Sequence, residues 1–303
     1  MNNTEKSRFD TLYTKHLTTL KLQGKADKTI EAYARAVRRI ATWFEVCPDR
    51  LTKDQLNEYF AALIKSHSWS TVKLDRNGLR FFYEKVVDQK MPWLDLVKPP
   101  VVHSLPDLLT HLEIARIIQH TEQSRFQTFW FVTYTLGLRL GEALNLQISD
   151  IDGERMRVHV RCGKGNKDRF VILPALTYRV LQRHWSTHRH PRLLFPGRPG
   201  LDNAPALHVM DRGTTQRAFK CVVADCGIHK KVSIHSLRHA YATHLIEAGL
   251  HLRGIQEQLG HACPNTTARY VQMTEKSLGD GTEIVQGMVK AFANALCDAR
   301  AEN

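Results

Sequence analysis

Five short segments hold residue types that together suit the breaking and rejoining of a phosphodiester. Arg139 stands in Gly137-Leu138-Arg139-Leu140-Gly141-Glu142-Ala143-Leu144-Asn145-Leu146, with Asp150-Ile151-Asp152 following. Lys164 stands in Gly163-Lys164-Gly165-Asn166-Lys167-Asp168-Arg169. His235 and Arg238 share His235-Ser236-Leu237-Arg238-His239; His261 ends Leu259-Gly260-His261; Tyr270 ends Ala268-Arg269-Tyr270, nine residues after His261. A tyrosine oxygen can attack phosphorus and hold the cut strand end as an ester, conserving the bond. Its free pKa of about 10 means it needs help losing the proton near neutral pH. Guanidinium forks match the non-bridging oxygens, where negative charge gathers in the transition state. The departing oxygen needs a proton, which a lysine on a hairpin tip can bring.

Each residue alone has a plainer reading. Arg139 could be a surface charge and Lys164 a solvated turn residue. Lys167 is a rival for the lysine role, and Tyr241 is a rival nucleophile. Tyr241, however, forms an i, i+4, i+8 stripe with Leu237 and Leu245, which reads as core. Glu142 could buttress Arg139 or sit on the surface. His235 and His239 are four apart, a zinc-compatible spacing, but Ser236 stands where HExxH needs glutamate, and Arg238 between them repels a cation. No GxxxxGK[ST] occurs, so nothing points to ATP. Neither a metal nor another cofactor is expected.

The elements that position these residues are mostly helices. Ile30, Tyr33, Ala34, Val37, Ile40, Ala41 and Phe44 share one helical face, with Arg35, Arg38 and Arg39 opposite. Thr52 and Gln55 predict a capping box, and Leu51 with Leu56 its hydrophobic staple, before a stripe of Leu56, Tyr59, Phe60 and Leu63. A third helix starts near Ser70, with Val72, Leu79, Phe82 and Tyr83 inward. Residues 98–107 carry three prolines and no period, a linker. The organisation read here is therefore 1–97, linker 98–107, and a second domain over 108–303. That domain starts with helices through Ile114–Ile118 and Phe126–Tyr134. Met156, Val158 and Val160 then alternate with Arg155, Arg157, His159 and Arg161, a half-buried strand. Residues 162–168 form the turn and 170–174 the return strand. Helical periods resume after Pro174, broken by loops near 189–204 and 227–234. Far along, Ile284, Val285, Met288, Val289, Phe292 and Leu296 make an apolar stripe that suits packing on its own domain or on a neighbouring copy equally.

The formal net charge is +13 over 303 residues. Residues 1–100 hold 18 Lys+Arg against 12 Asp+Glu, and the remainder 25 against 18, so the excess is not a tail. A polyanion is the natural partner, because each phosphate contact releases condensed counterions. No apolar run approaches the roughly 20 residues needed to span a bilayer, and the first residues are polar. A cytoplasmic location with no membrane partner is expected. The six cysteines include no C-x-x-C pair and are expected as small buried hydrophobes rather than a disulfide framework.

In order and spacing, the five segments resemble those of the tyrosine recombinase (phage integrase) family, in particular its Xer-like members. The resemblance is strong over about 107–275 and weaker over 8–90. It implies a mainly α fold with a small β-sheet: a helical N-terminal core-binding domain followed by an α+β tyrosine recombinase catalytic domain. It implies Tyr270 as nucleophile forming a 3′-phosphotyrosyl link, Arg139 and Arg238 on the scissile phosphate, and Lys164 as general acid. His235 would assist proton transfer, and His261 would donate a hydrogen bond to a phosphate oxygen. The partners implied are double-stranded DNA and further copies of the chain, as a tetramer on two DNA sites. Two rival readings stay open on the sequence: relaxation of DNA in the manner of type IB topoisomerases, and DNA binding without catalysis. The Gly-Asp-Gly at 279–281 departs from the Xer pattern and leaves the docking of the last helix open.

Overall fold

The computed structural model describes residues 1–90, 107–161, 168–198, 206–260 and 281–301, in two units, Met1–Ser104 and Leu105–Asn303. The first opens with a helix for which the sequence offers little period, α1 (Asn3–Leu22), capped by the Asn2 side chain and burying only His16 and Leu20. The stripe from Ile30 folds as α2 (Asp27–Phe44), with Ala34, Val37, Ile40 and Ala41 buried. A short 3-10 turn, Pro48–Arg50, leads to α3 (Lys53–Ser66). The expected box is present there: Gln55 N donates to Thr52 Oγ1 at 3.3 Å and Thr52 N to Gln55 Oε1 at 2.9 Å. α4 (Trp69–Phe82) follows and ends in a π-turn, Tyr83–Val87.

The basic face of α2 differs from the expectation. Arg39 turns inward and donates to Asp75 Oδ2 at 2.8 Å, and Tyr59 Oη donates to the same oxygen at 2.7 Å. Asp75 is buried among Val72, Leu79 and Phe82, so its charge needs these partners. Arg35 and Arg38 both pair with Glu31 on the exposed side.

In the second unit, α5 (His111–Gln119) begins with a capping box of Thr110 and Glu113. α6 (Ser124–Thr135) is buried at every position from Phe129 to Thr135, which makes it the central helix of this core. Gly137, at φ +58, ends it and turns the chain into the short α7 (Leu140–Leu144). β1 (Ile151–Asp152), β2 (Arg157–Val160) and β3 (Arg169–Ile172) form an antiparallel sheet in that order, with Val158 opposite Val171 and Val160 opposite Arg169. β2 starts two residues later than the alternation, which begins at Arg155, because Met156 takes φ +47 in the preceding turn. α8 (Ala175–His188), α9 (Arg212–Asp225), α10 (Ile234–Glu247), α11 (Leu252–Leu259) and α12 (Gly281–Ala301) complete the unit.

α12 packs on its own domain. Val285, Met288, Val289 and Phe292 are buried, with the Phe292 ring 4.7 Å from Tyr134 and 5.7 Å from Phe131. Gln119 Nε2 donates to the Leu296 carbonyl. Of the cysteines, Cys47 and Cys226 are buried as expected, whereas Cys221 and Cys297 are exposed; all four are free thiols, and Cys162 and Cys263 lie outside the described residues. The linker reading also lies outside them, apart from Asp107, whose carboxylate accepts from Lys231 N at 2.8 Å.

Candidate active site

The site is built around one carboxylate. Glu142, on α7, is 6 % exposed and faces three arginines. Its Oε1 accepts from Arg139 Nη1 at 2.6 Å and from Arg169 Nη1 at 3.0 Å. Its Oε2 accepts from Arg139 N at 2.9 Å and from Arg169 Nη2 at 2.7 Å, with Arg238 Nη1 at 3.7 Å. Burial alone would raise the Glu142 pKa. The hydrogen bonds and charge of Arg169, with the backbone and guanidinium of Arg139, outweigh it and hold the pKa at about 2. Glu142 is therefore a fixed negative charge, and the surface alternative for it does not hold.

Arg238 fastens two segments together. Its Nη1 donates to the Gly137 carbonyl and its Nη2 to the Leu259 carbonyl, both at 2.6 Å. The turn before Arg139 is thereby tied to the end of α11, just before His261. His235 lies one helical turn before Arg238 at the exposed N-terminus of α10. The surrounding protein strips hydration from its ring, and His239, Arg238 and Arg139 add positive charge, so its pKa is lowered and the neutral imidazole is favoured. The His235 and His239 rings lie edge-on, 4.5 Å apart.

The structure thus brings Arg139, His235 and Arg238 into one neighbourhood. Lys164, His261 and Tyr270 lie outside the described residues, as does the rival Lys167. The other rival, Tyr241, is fully buried, and its hydroxyl has no hydrogen-bond partner among the described residues. Burial raises its pKa, against the pull of Arg238 and Arg169, so it stays a neutral core residue. Among the described residues, no group of three or more His, Cys, Asp or Glu is placed to hold a metal ion, and no helix is long and apolar enough to cross a membrane.

Arg169 is the residue that sequence reasoning left without a role. Its only signal was its place at the end of the lysine segment, since its partner Glu142 lies 27 residues away. Arg157, in β2, and Arg161, just after it, are also less open than their alternation suggests. Arg157 pairs with Asp152 at 3.0 Å and lies over the Phe170 ring, and Arg161 pairs with Asp150.

A family profile described as "Phage integrase family" matches residues 107–277, and one described as "Phage integrase, N-terminal SAM-like domain" matches 12–93. The chain is 31% identical over 281 residues to tyrosine recombinase XerA of Pyrococcus horikoshii, covering 88% of this chain and 90% of the relative. It is 29% identical over 277 residues to tyrosine recombinase XerD of Oceanobacillus iheyensis, covering 85% and 92%. Its fold is similar to that of a lambda integrase fragment bound as a dimer to a COC′ core site, with a TM-score of 0.70 and 17% identity over 89% of this chain and 99% of that one. It is also similar to XerH site-specific recombinase bound to its difH substrate, with a TM-score of 0.65 and 20% identity over 85% and 81%.

Proposed function

The chain belongs to the phage integrase family and is a tyrosine-type site-specific recombinase, and we propose that it cuts double-stranded DNA through Tyr270. The Tyr270 oxygen attacks the scissile phosphorus and forms a 3′-phosphotyrosyl ester as the bond to the 5′ oxygen breaks. Lys164 gives the departing 5′ oxygen its proton, and the tyrosine proton passes toward His235. Arg139 and Arg238 offset the charge on the non-bridging oxygens, and His261 donates a hydrogen bond to one of them. A 5′ hydroxyl from the second duplex then attacks the ester and reseals the strand, releasing Tyr270. No net bond energy is lost, so the cycle needs no ATP, and the guanidinium groups stand where a metal would otherwise be needed.

The observation that carries this reading is the convergence of Arg139 and Arg238 on Glu142, beside His235 at the start of α10. Fixed positive charge beside an imidazole supports phosphate binding by the two arginines and proton acceptance by His235. Residues 1–97 act as the core-binding domain, 98–107 as the linker and 108–303 as the catalytic domain. Four protomers join two DNA sites in the cytoplasm. In support of that assembly, a lambda integrase of similar fold has been seen as a tetramer bound to a Holliday junction.

Trapping the covalent intermediate tests the chemistry. The protein should form a denaturant-stable DNA adduct as readily in chelator as in magnesium, and Tyr270→Phe should bind DNA and form none. An adduct persisting in Tyr270→Phe moves the nucleophile elsewhere. Sequencing the trapped DNA gives the target site.

A further inference from the structure

We propose that Arg169 is a positioning residue for cleavage, acting through Glu142 to hold Arg139 toward the scissile phosphate. The guanidinium of Arg169 uses three donors at once. Nη1 and Nη2 clamp the two oxygens of Glu142 at 3.0 and 2.7 Å, and Nε donates to the Gln258 carbonyl at 3.0 Å. This fork fixes the carboxylate plane in a way a point charge cannot. Glu142 is thereby left with one orientation in which to take both the backbone N–H and the Nη1 of Arg139.

The anchorage of Arg169 is itself rigid. Its backbone is paired with Val160 in the sheet. Its aliphatic stem lies over Gly260, where an added Cβ would come within 2.6 Å of Arg169 Cδ. Gln258 Oε1 accepts from Ile172 N at 3.2 Å, which docks the last turn of α11 on β3 a second time. The Arg169 side chain is 9 % exposed against 22 % for Arg139, so Arg139 is the more open of the two to a ligand. A residue so placed serves the phosphate through Glu142, which holds Arg139 by two hydrogen bonds and lies 3.7 Å from Arg238 Nη1.

The inference rests on the reading of Arg139 as a phosphate ligand, and three substrates separate the two. They are nicked duplexes carrying the trapped site with an ordinary scissile phosphate, with an uncharged methylphosphonate there, or with sulfur as the bridging 5′ atom. On the ordinary phosphate, Arg169→Gln should form adduct roughly 10–100-fold more slowly than the parent, the scale for losing a group that orients a ligand. DNA binding should be unchanged. The methylphosphonate carries no charge for Arg139 to meet, so the difference should shrink to within about threefold. The sulfur substrate, whose leaving group needs little protonation, should leave the difference in place.

Arg169→Lys keeps the charge but not the fork. It should fold, as followed by thermal unfolding, and show the same substrate pattern with a smaller defect. The proposal is overturned if either variant cleaves ordinary DNA at the parental rate, if the defect persists on methylphosphonate, or if sulfur abolishes it and so assigns the role to the leaving-group proton. Failure of Arg169→Lys to fold also overturns it, because the residue would then be a structural support. Arg139→Ala is the reference. If methylphosphonate does not rescue it, the reading of Arg139 itself fails, whatever Arg169 does.

Discussion

Tyr241 closes directly over Gly137: a Cβ on that glycine would fall 2.4 Å from Tyr241 Cδ1. Gly137 also sits at φ +58, so two independent costs meet an alanine there. Gly137→Ala should destabilise the protein by about 2–4 kcal/mol, from overpacking and left-handed strain together. Denaturant midpoints measure this. Tyr241→Phe removes a hydroxyl that has no partner among the described residues and should leave both stability and adduct formation close to parental.

Glu142→Gln removes a buried negative charge from among three arginines. The loss should be roughly 3–5 kcal/mol near neutral pH, the range for breaking one side of a buried ion pair. The sign with pH follows from the depressed pKa, about 2 in the folded protein against an ordinary 4.5. The stabilisation by Glu142 is complete above pH 4.5 and lost as pH falls toward 2. Unfolding free energies of parent and variant should therefore converge across that window, and a constant gap would contradict the pairing.

His16 also loses its contribution toward acid pH, but by burial of a neutral ring rather than by pairing of a charge. It is fully buried beside Phe81 and Phe82, and neither ring nitrogen has a hydrogen bond of good geometry. Burial lowers its pKa from 6.5 to about 4, offset only slightly by the nearby Tyr33 carbonyl. The folded state thus resists a proton that the unfolded chain accepts, and stability falls as pH drops from 6.5 toward 4. His16→Leu should flatten thermal stability over that range, most visibly near pH 5. An unchanged slope would place the acid sensitivity in other buried histidines, such as His184 or His244.

Phe292→Ala opens a cavity beneath α12, between Phe131 and Tyr134. A loss of about 3–5 kcal/mol is expected for a fully buried phenylalanine. It should appear in thermal melts at concentrations where the protein is monomeric. Loss only at high concentration would place the helix on a neighbouring copy instead.

What the sequence showed and what it hid divide by distance along the chain. The Thr52–Gln55 box, the α2 stripe and the pairing of β2 with β3 are local patterns, and all are present, while the expected turn at 162–168 lies outside the described residues apart from Asp168. α1 was hidden because only His16 and Leu20 are buried along 20 residues. Asp75 was legible in principle, being spaced with Val72 and Leu79 on the inward face of α4, but Arg39, which neutralises it, comes from another helix. The roles of Arg169 and Glu142 needed three segments in register: Arg169 lies 27 residues from Glu142, and Arg238 reaches Gly137 across 101. No periodicity reports such meetings.

The seating of α12 has a kinetic consequence. The surface formed by α5, α6 and α10 is already filled by a helix of the same chain. Covalent linkage makes that docking intramolecular and independent of protein concentration. A helix arriving from another copy competes with that occupant at a large disadvantage in dilute solution, and on equal terms only where copies are crowded together. Any exchange of α12 between protomers is therefore governed by local density, and the isolated chain holds its own helix by default.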